Sequence, residues 1–192
     1  MNGQEQPNFE EIDSWIREAN DIPPEEKTPN SGDDIDAEPE NQEALDLEAT
    51  NVARWRAAKS LLVLRDQVNR KAPNRSKASD GTIGDTRHAS QNSDHNPWVK
   101  DGNVGVVTAL DITHDPNDGC DANAIAKAIR DSRDVRVKYI IWNRRIANSS
   151  PIGGQSAWTW RSYTGSNPHT GHIHISVKSN KPNYDSTAAW SI

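Results

Sequence analysis

The stretch from Val104 to Ile112, VGVVTALDI, constrains the fold more than any other. Nearly every position is apolar, so a strand here must be covered on both faces by the rest of the chain. Asp111 breaks the run between Leu110 and Ile112. Burying an ionised carboxylate without a partner is costly, so Asp111 calls for a cation or strong donors beside it. The fold has to bring polar chemistry into its own sheet.

The segments around this strand supply the cover. Residues 51–72, NVARWRAAKSLLVLRDQVNRKA, predict a helix that ends before Pro73, with Trp55, Leu61, Leu62, Leu64 and Val68 as core positions. Residues 73–103 read as one long loop rich in Asn, Ser, Asp and Gly, and a loop of that length in a compact domain is usually functional. DANAIAKAIRDSR predicts a second helix with Asp121 as its N-cap. VRVKYIIW, SAWTWRSY and HIHISV complete the set of strands. The expected fold class is α+β, a small and mostly antiparallel single sheet with flanking helices and a metal site on the sheet.

That domain is expected to span residues 50–192, behind an acidic extension of residues 1–49. Residues 1–50 hold sixteen Asp/Glu against Arg17 and Lys27, whereas residues 51–192 hold twenty Lys/Arg against twelve acids, for net charges of −14 and +8. From Asp21 to Ala49 the chain has too few apolar residues to offset the entropy of ordering, so it reads as a disordered linker. Ahead of the linker, Phe9, Ile12, Trp15 and Ile16 share one face of a short amphipathic helix near residues 8–19. This helix either packs back on the domain or docks on a protein partner. A basic domain favours polyanions, and charge alone does not choose between cell-wall polymer and nucleic acid. No stretch is apolar and long enough for a membrane span, and MNGQEQPNFEEID lacks the basic and apolar regions of a signal peptide. Cys120 is the only cysteine, so no internal disulfide forms. Synthesis in a reducing cytoplasm follows as the expectation.

Three of the six histidines lie in Asn167–Ser176, NPHTGHIHIS. Residues two apart on a strand share a face, so His172 and His174 emerge side by side. His95 in SDHNPW, Asp111 and His174 together make a set of two imidazoles and one carboxylate, suited to zinc with a fourth position left for water. Taken singly, each has a plainer reading: His95 as a loop histidine, Asp111 as an acceptor of backbone N–H bonds, His-x-His as an accident of composition.

Ser93-Asp94-His95, Ala109-Leu110-Asp111 and His172-Ile173-His174, in that order, resemble the S-x-H, A-x-D and H-x-H signature of the zinc peptidoglycan peptidases. That group comprises D-alanyl-D-alanine carboxypeptidases, phage L-alanyl-D-glutamate endolysins and penicillin-insensitive murein endopeptidases, with a fold shared by Hedgehog-type domains. The spacing of His169, His172 and His174 is most similar to the murein endopeptidase branch, and the segments around it look like phage-encoded members. The resemblance implies Zn2+ held by His95, Asp111 and His174, and a peptidoglycan stem peptide as substrate rather than nucleic acid. It also implies action on the cell wall after release, or as a virion component. His95 and Asp111 stand sixteen positions apart, farther than in most members, so NPWVKDGNVGVV is read as a longer loop feeding the strand. Every acid after Glu48 is an aspartate, so the glutamate that many members use as general base is missing. Proton transfer then falls to His172, with His169 as the other choice and imidazole suited to the work. Arg75, Arg87, Arg144 and Arg145 are the candidates for steadying an oxyanion, and His88 and His114 read as supporting residues. Trp98, Trp158 and Trp160 read as core or rim, with stacking on sugars as the other reading.

Rival functions are a 2H-type phosphoesterase, from His174-Ile175-Ser176 with His88-Ala89-Ser90, and an HNH-like nuclease, from SDHNPW. A non-catalytic wall-binding or virion module of the same fold is the third.

Overall fold

The computed structural model describes residues 55–83 and 93–192. The predicted extension of residues 1–49, with its helix near residues 8–19, lies outside the described residues, as do Arg87 and His88.

Two sheets, not one, organise the described chain. The smaller sheet has the order β1-β3-β2, where β1 is Trp55–Ala57, β2 is Val99–Asp101 and β3 is Val104–Val107. The larger has the order β4-β8-β5-β6-β7 and is antiparallel at every junction. Its strands are β4 (Ala109–Thr113), β5 (Val137–Trp142), β6 (Arg145–Asn148), β7 (Arg161–Ser162) and β8 (His172–Val177). Helix α1 (Lys59–Lys71), helix α2 (Ala122–Ser132) and the short α3 (Lys181–Tyr184) complete the fold. No helix among the described residues is long and apolar enough to cross a membrane.

The apolar run that was expected to form one strand is therefore two. It leaves the small sheet at Val107 and enters the large one at Ala109. Thr108 makes the passage with both backbone groups engaged: its N–H donates to the Asp94 carbonyl, and its carbonyl accepts the Val177 N–H. A strand crossing between sheets is covered on both faces throughout, so its sequence carries no break. The last part of the expected loop, Val99–Asp101, instead forms a hairpin with β3. Asp101 pairs with Val104 across a turn in which Gly102 has φ of 61°. Gly105 on β3 runs so close to Pro97 that an added Cβ would lie 2.6 Å from the Pro97 side chain.

The first predicted helix is shorter at its start than expected. Trp55–Ala57 pairs in parallel with Gly105–Val107, and the helix begins only at Lys59. Trp55 is consequently 43% exposed instead of lying in the core. Pairing along the free edge of β3 satisfies three residues of backbone, which outweighs the weak local preference for helix. The helix then buries Leu61, Leu64 and Val68 and ends before Pro73, as the sequence indicates. Helix α2 starts at its predicted cap, where the Asp121 carboxylate accepts the Asn123 N–H at 2.8 Å. SAWTWRSY contributes only Arg161–Ser162 as strand, because Trp158 has φ of 64°, a left-handed backbone that interrupts an extended run.

Strand β8 divides the molecule. Ile173, Ile175 and Val177 point to one face and join Leu61, Leu110, Ile112, Ile129 and Ile140 in the core under the helices. His172, His174 and Ser176 point to the other face. In β4, Leu110 and Ile112 enter the same core, and Asp111 turns to the histidine side opposite its register partner His174.

Candidate metal centre

The five-stranded sheet sets the site by register alone. Asp111 pairs with His174, and Thr113 with His172, so the carboxylate and both imidazoles lie along one face of β4 and β8. The outer edge of β4 is bridged by Gly81, which exchanges N–H···O bonds of 2.8 and 3.2 Å with Asp111. Gly81 leads directly to Thr82, whose carbonyl accepts the His95 Nδ1–H at 2.8 Å. His95 itself sits in a turn in which the Ser93 hydroxyl accepts the His95 backbone N–H at 3.2 Å. This is the local role of the serine in Ser-x-His.

His95, Asp111 and His174 are brought together. His95 Nε2 lies 3.1 Å from His174 Nδ1, His174 Nδ1 lies 3.0 Å from Asp111 Oδ1, and His95 Nε2 lies 3.4 Å from Asp111 Oδ2. The hydrogen bonds on the far sides of the rings decide what these atoms can do. A backbone carbonyl only accepts, so His95 Nδ1 carries the proton in the neutral ring and Nε2 holds a lone pair. His174 Nε2 lies 3.0 Å from Ser176 Oγ, and an Nε2–H donated there leaves the serine proton for Asp94, whose pKa Ser176 helps to lower. His174 Nδ1 is then also a lone pair. Two imidazole lone pairs and a carboxylate converge on one point, an arrangement that calls for a cation. These three residues form a group that can hold a metal ion.

Acid–base behaviour follows the same geometry. Burial works against an ionised Asp111, but His174 and His95 hold its carboxyl far below the usual carboxylate range. Burial lowers the pKa of His95, and Asp111 more than restores it, for a net rise. His174, only 5% exposed, is lowered by burial and by His95 despite its bond to Asp111. Asp111 thus makes His95 hold a proton more readily than a free imidazole does, and a metal ion has to compete with that proton for the ring.

Behind His174 stands a support that sequence reasoning did not single out. Asp94 receives Lys138 Nζ on both oxygens at 3.0 Å, and Tyr139 stacks on the His174 ring at 5.5 Å. Burial raises the Asp94 pKa, yet Lys138 and Ser176 bring it below the ordinary value. A β-bulge puts these groups in place. Val137 faces Val177 and Tyr139 faces Ser176, so Lys138 is the extra residue and the strand changes face at this point. The sequence did carry the signal, because the core positions of β5 shift phase from Val137 to Ile140 and Trp142.

His172 and His169 border the cluster. His172 Nε2 is 3.7 Å from Asp111 Oδ2 and has no hydrogen-bond partner, although the atom is buried. His169 packs edge-on against His172 at 4.9 Å and against His174 at 5.5 Å, with its Nδ1 buried and also unpartnered. Burial, helped by His174 and His172, pushes the His169 pKa down to about 3, so this ring is neutral near neutral pH. Its backbone is left-handed, with φ of 50°, and is pinned by the β5–β6 turn. There Asn143 N–H donates to the His169 carbonyl and Arg144 N–H to the Pro168 carbonyl, each at 2.9 Å. Tyr163, also missed in the sequence, stands edge-on to His169, and burial together with Asp111 raises its pKa and keeps the phenol protonated.

Arg75 is buried in an ion pair with Asp80, Arg145 stacks over Trp160 at 5.1 Å, and Arg144 is exposed in the turn. His114 Nδ1 accepts the Ala122 N–H at the start of α2. Trp158 and Trp160 pack against the core, whereas Trp98 is 54% exposed with its indole N–H on the Ser93 carbonyl. Ser176 is fully buried, so the hydroxyl of His-x-Ser does not face solvent.

Comparison of the chain with protein-family models, curated proteins and solved structures finds no match.

Proposed function

We propose that this chain is a zinc-dependent peptidoglycan peptidase that hydrolyses an amide bond of the wall stem peptide. The observation that carries the reading is the convergence of the His95 Nε2 lone pair, the His174 Nδ1 lone pair and the Asp111 carboxylate. A tetrahedral ion with bonds of ~2.0–2.2 Å has ligand atoms about 3.3–3.6 Å apart. The separations of 3.0–3.4 Å lie close to that, so a small shift admits Zn2+. The motif resemblance, the order of the three elements and the net charge of +8 on residues 51–192 support a wall polymer as the partner.

Zn2+ held there would polarise the scissile carbonyl and lower the pKa of water. The chain supplies the rest. His95 is oriented by Thr82, and His174 by Ser176 and Asp94, so neither ring turns away from its task. His172 Nε2 is the free base beside the cluster: it accepts the proton of the attacking water and returns it to the leaving amine. That this nitrogen has no hydrogen-bond partner supports the choice of His172 in a domain without glutamate. The test is digestion of purified wall followed by mass spectrometry of the released muropeptides. Stem-peptide fragments from the native chain, and none from His95→Ala or Asp111→Ala, are the expected outcome. Full activity in either variant overturns the proposal.

A further inference from the structure

One pair of ring nitrogens is left over after the first cation site is assembled. His169 Nδ1 and His172 Nε2 are buried, make no hydrogen bond and lie beside the same aspartate. An unpartnered polar atom out of water is costly, and here two sit on rings whose centroids are 4.9 Å apart. His169 is only 6% exposed, so bulk solvent does not satisfy its ring. Asp111 presents its oxygens in two directions, Oδ1 to His174 and Oδ2 between His95 and His172. The 3.7 Å from Oδ2 to His172 Nε2 is too long for a hydrogen bond and suits two ligands of a common ion.

We propose that Asp111, His169 and His172 form a second divalent-cation site that shares the Asp111 carboxylate with the first. One ligand atom from each of these residues lies within 4.8 Å of the others, as in the first site. Carboxylate-bridged ion pairs stand ~3.5–4 Å apart, a spacing that a single bridging aspartate can span. The second site is the weaker one. Its bridging carboxylate already serves the first ion, and His169 Nδ1 and His172 Nε2 have no hydrogen bond of the kind that Thr82 and Ser176 make to the rings of the first site. The inference takes the His95–Asp111–His174 cation site as given and does not depend on the reaction performed there.

Equilibrium dialysis of the full chain against Zn2+, with metal counted by mass spectrometry, tests it. The native chain is expected to bind about two ions, one tight and one weaker. His169→Ala and the gentler His172→Gln are each expected to retain the tight ion and weaken the second on the order of tenfold or more. Far-UV circular dichroism identifies any variant that has unfolded, and the other then carries the comparison. Saturation of the native chain at one ion overturns the inference, as does a second ion that persists in the double variant. Saturation at one ion in a chain that still hydrolyses wall would refute this site and leave the peptidase reading intact; two ions bound without hydrolysis would do the reverse.

Discussion

The hydroxyl of Ser176 is the most informative place to perturb the site, because it touches no ligand atom on the metal side. It lies 3.0 Å from His174 Nε2 as the acceptor of its N–H, is fully buried, and keeps its own proton while helping to lower the Asp94 pKa. In Ser176→Ala the His174 N–H is left inside with no acceptor, at ~1–3 kcal/mol. The ring then gains by moving its proton to Nδ1, where Asp111 Oδ1 waits 3.0 Å away. A metal ion has to reverse that change before it binds. The expected loss of zinc affinity is therefore about 10–100-fold, or roughly 1.4–2.7 kcal/mol. Competition with a chromophoric zinc chelator reads it directly. Ser60 supplies the control: its Oγ is buried with no partner, so Ser60→Ala removes a hydroxyl without touching the site. Affinity within about threefold of native in Ser176→Ala would refute the argument that tautomer control makes this a metal site.

Asp80 pairs with the buried Arg75 and accepts from Thr113, and although burial raises its pKa these partners lower it overall. Its stabilisation is complete above the unfolded value of ~3.9 and is lost as pH falls through the lower folded value. Urea unfolding should accordingly show Asp80→Asn about 3–5 kcal/mol less stable near neutral pH, with the gap closing in acid; a constant gap contradicts the pairing. Leu61→Ala should cost ~2–5 kcal/mol and Trp55→Ala at most ~0.5, and the reverse ranking would restore Trp55 to the core. Gly105→Ala forces β3 from Pro97 and should cost ~1–3 kcal/mol by the same assay, whereas native stability would mean the approach is looser. Under the two readings of His172, zinc beyond the first equivalent should slow wall hydrolysis, because the second ion takes the lone pair that accepts the proton. A rate that rises through the second equivalent would remove His172 from proton transfer.

Much of this arrangement was legible because it rests on local period and capping. HIHISV alternates without interruption, so the sequence places His172 and His174 on one face, and the register then sets Asp111 opposite His174. Asp121 reads as a cap because its side chain competes for a nearby N–H, and it does so here. What was hidden depends on partners distant in sequence. VGVVTALDI gives no sign that Thr108 crosses between sheets, since both halves are equally covered. Trp55–Ala57 becomes a strand only because β3 offers an open edge. The hairpin ahead of β3 had a signal in Asp101-Gly102, a dipeptide suited to a tight turn, that the loop reading passed over. The support behind His174 joins Asp94, Lys138, Tyr139 and Ser176 from three separate segments, and no spacing rule connects them.

The central claim is that His95 and His174 offer opposite ring nitrogens to one cation. Long-range proton–nitrogen correlation spectra of the nitrogen-15-labelled protein, recorded before and after one equivalent of Zn2+, test it most directly. The account predicts that His95 Nε2 and His174 Nδ1 take metal-bound shifts, while His95 Nδ1 and His174 Nε2 keep their protons on Thr82 and Ser176. Binding through His174 Nε2, or no shift at either ring, would contradict it.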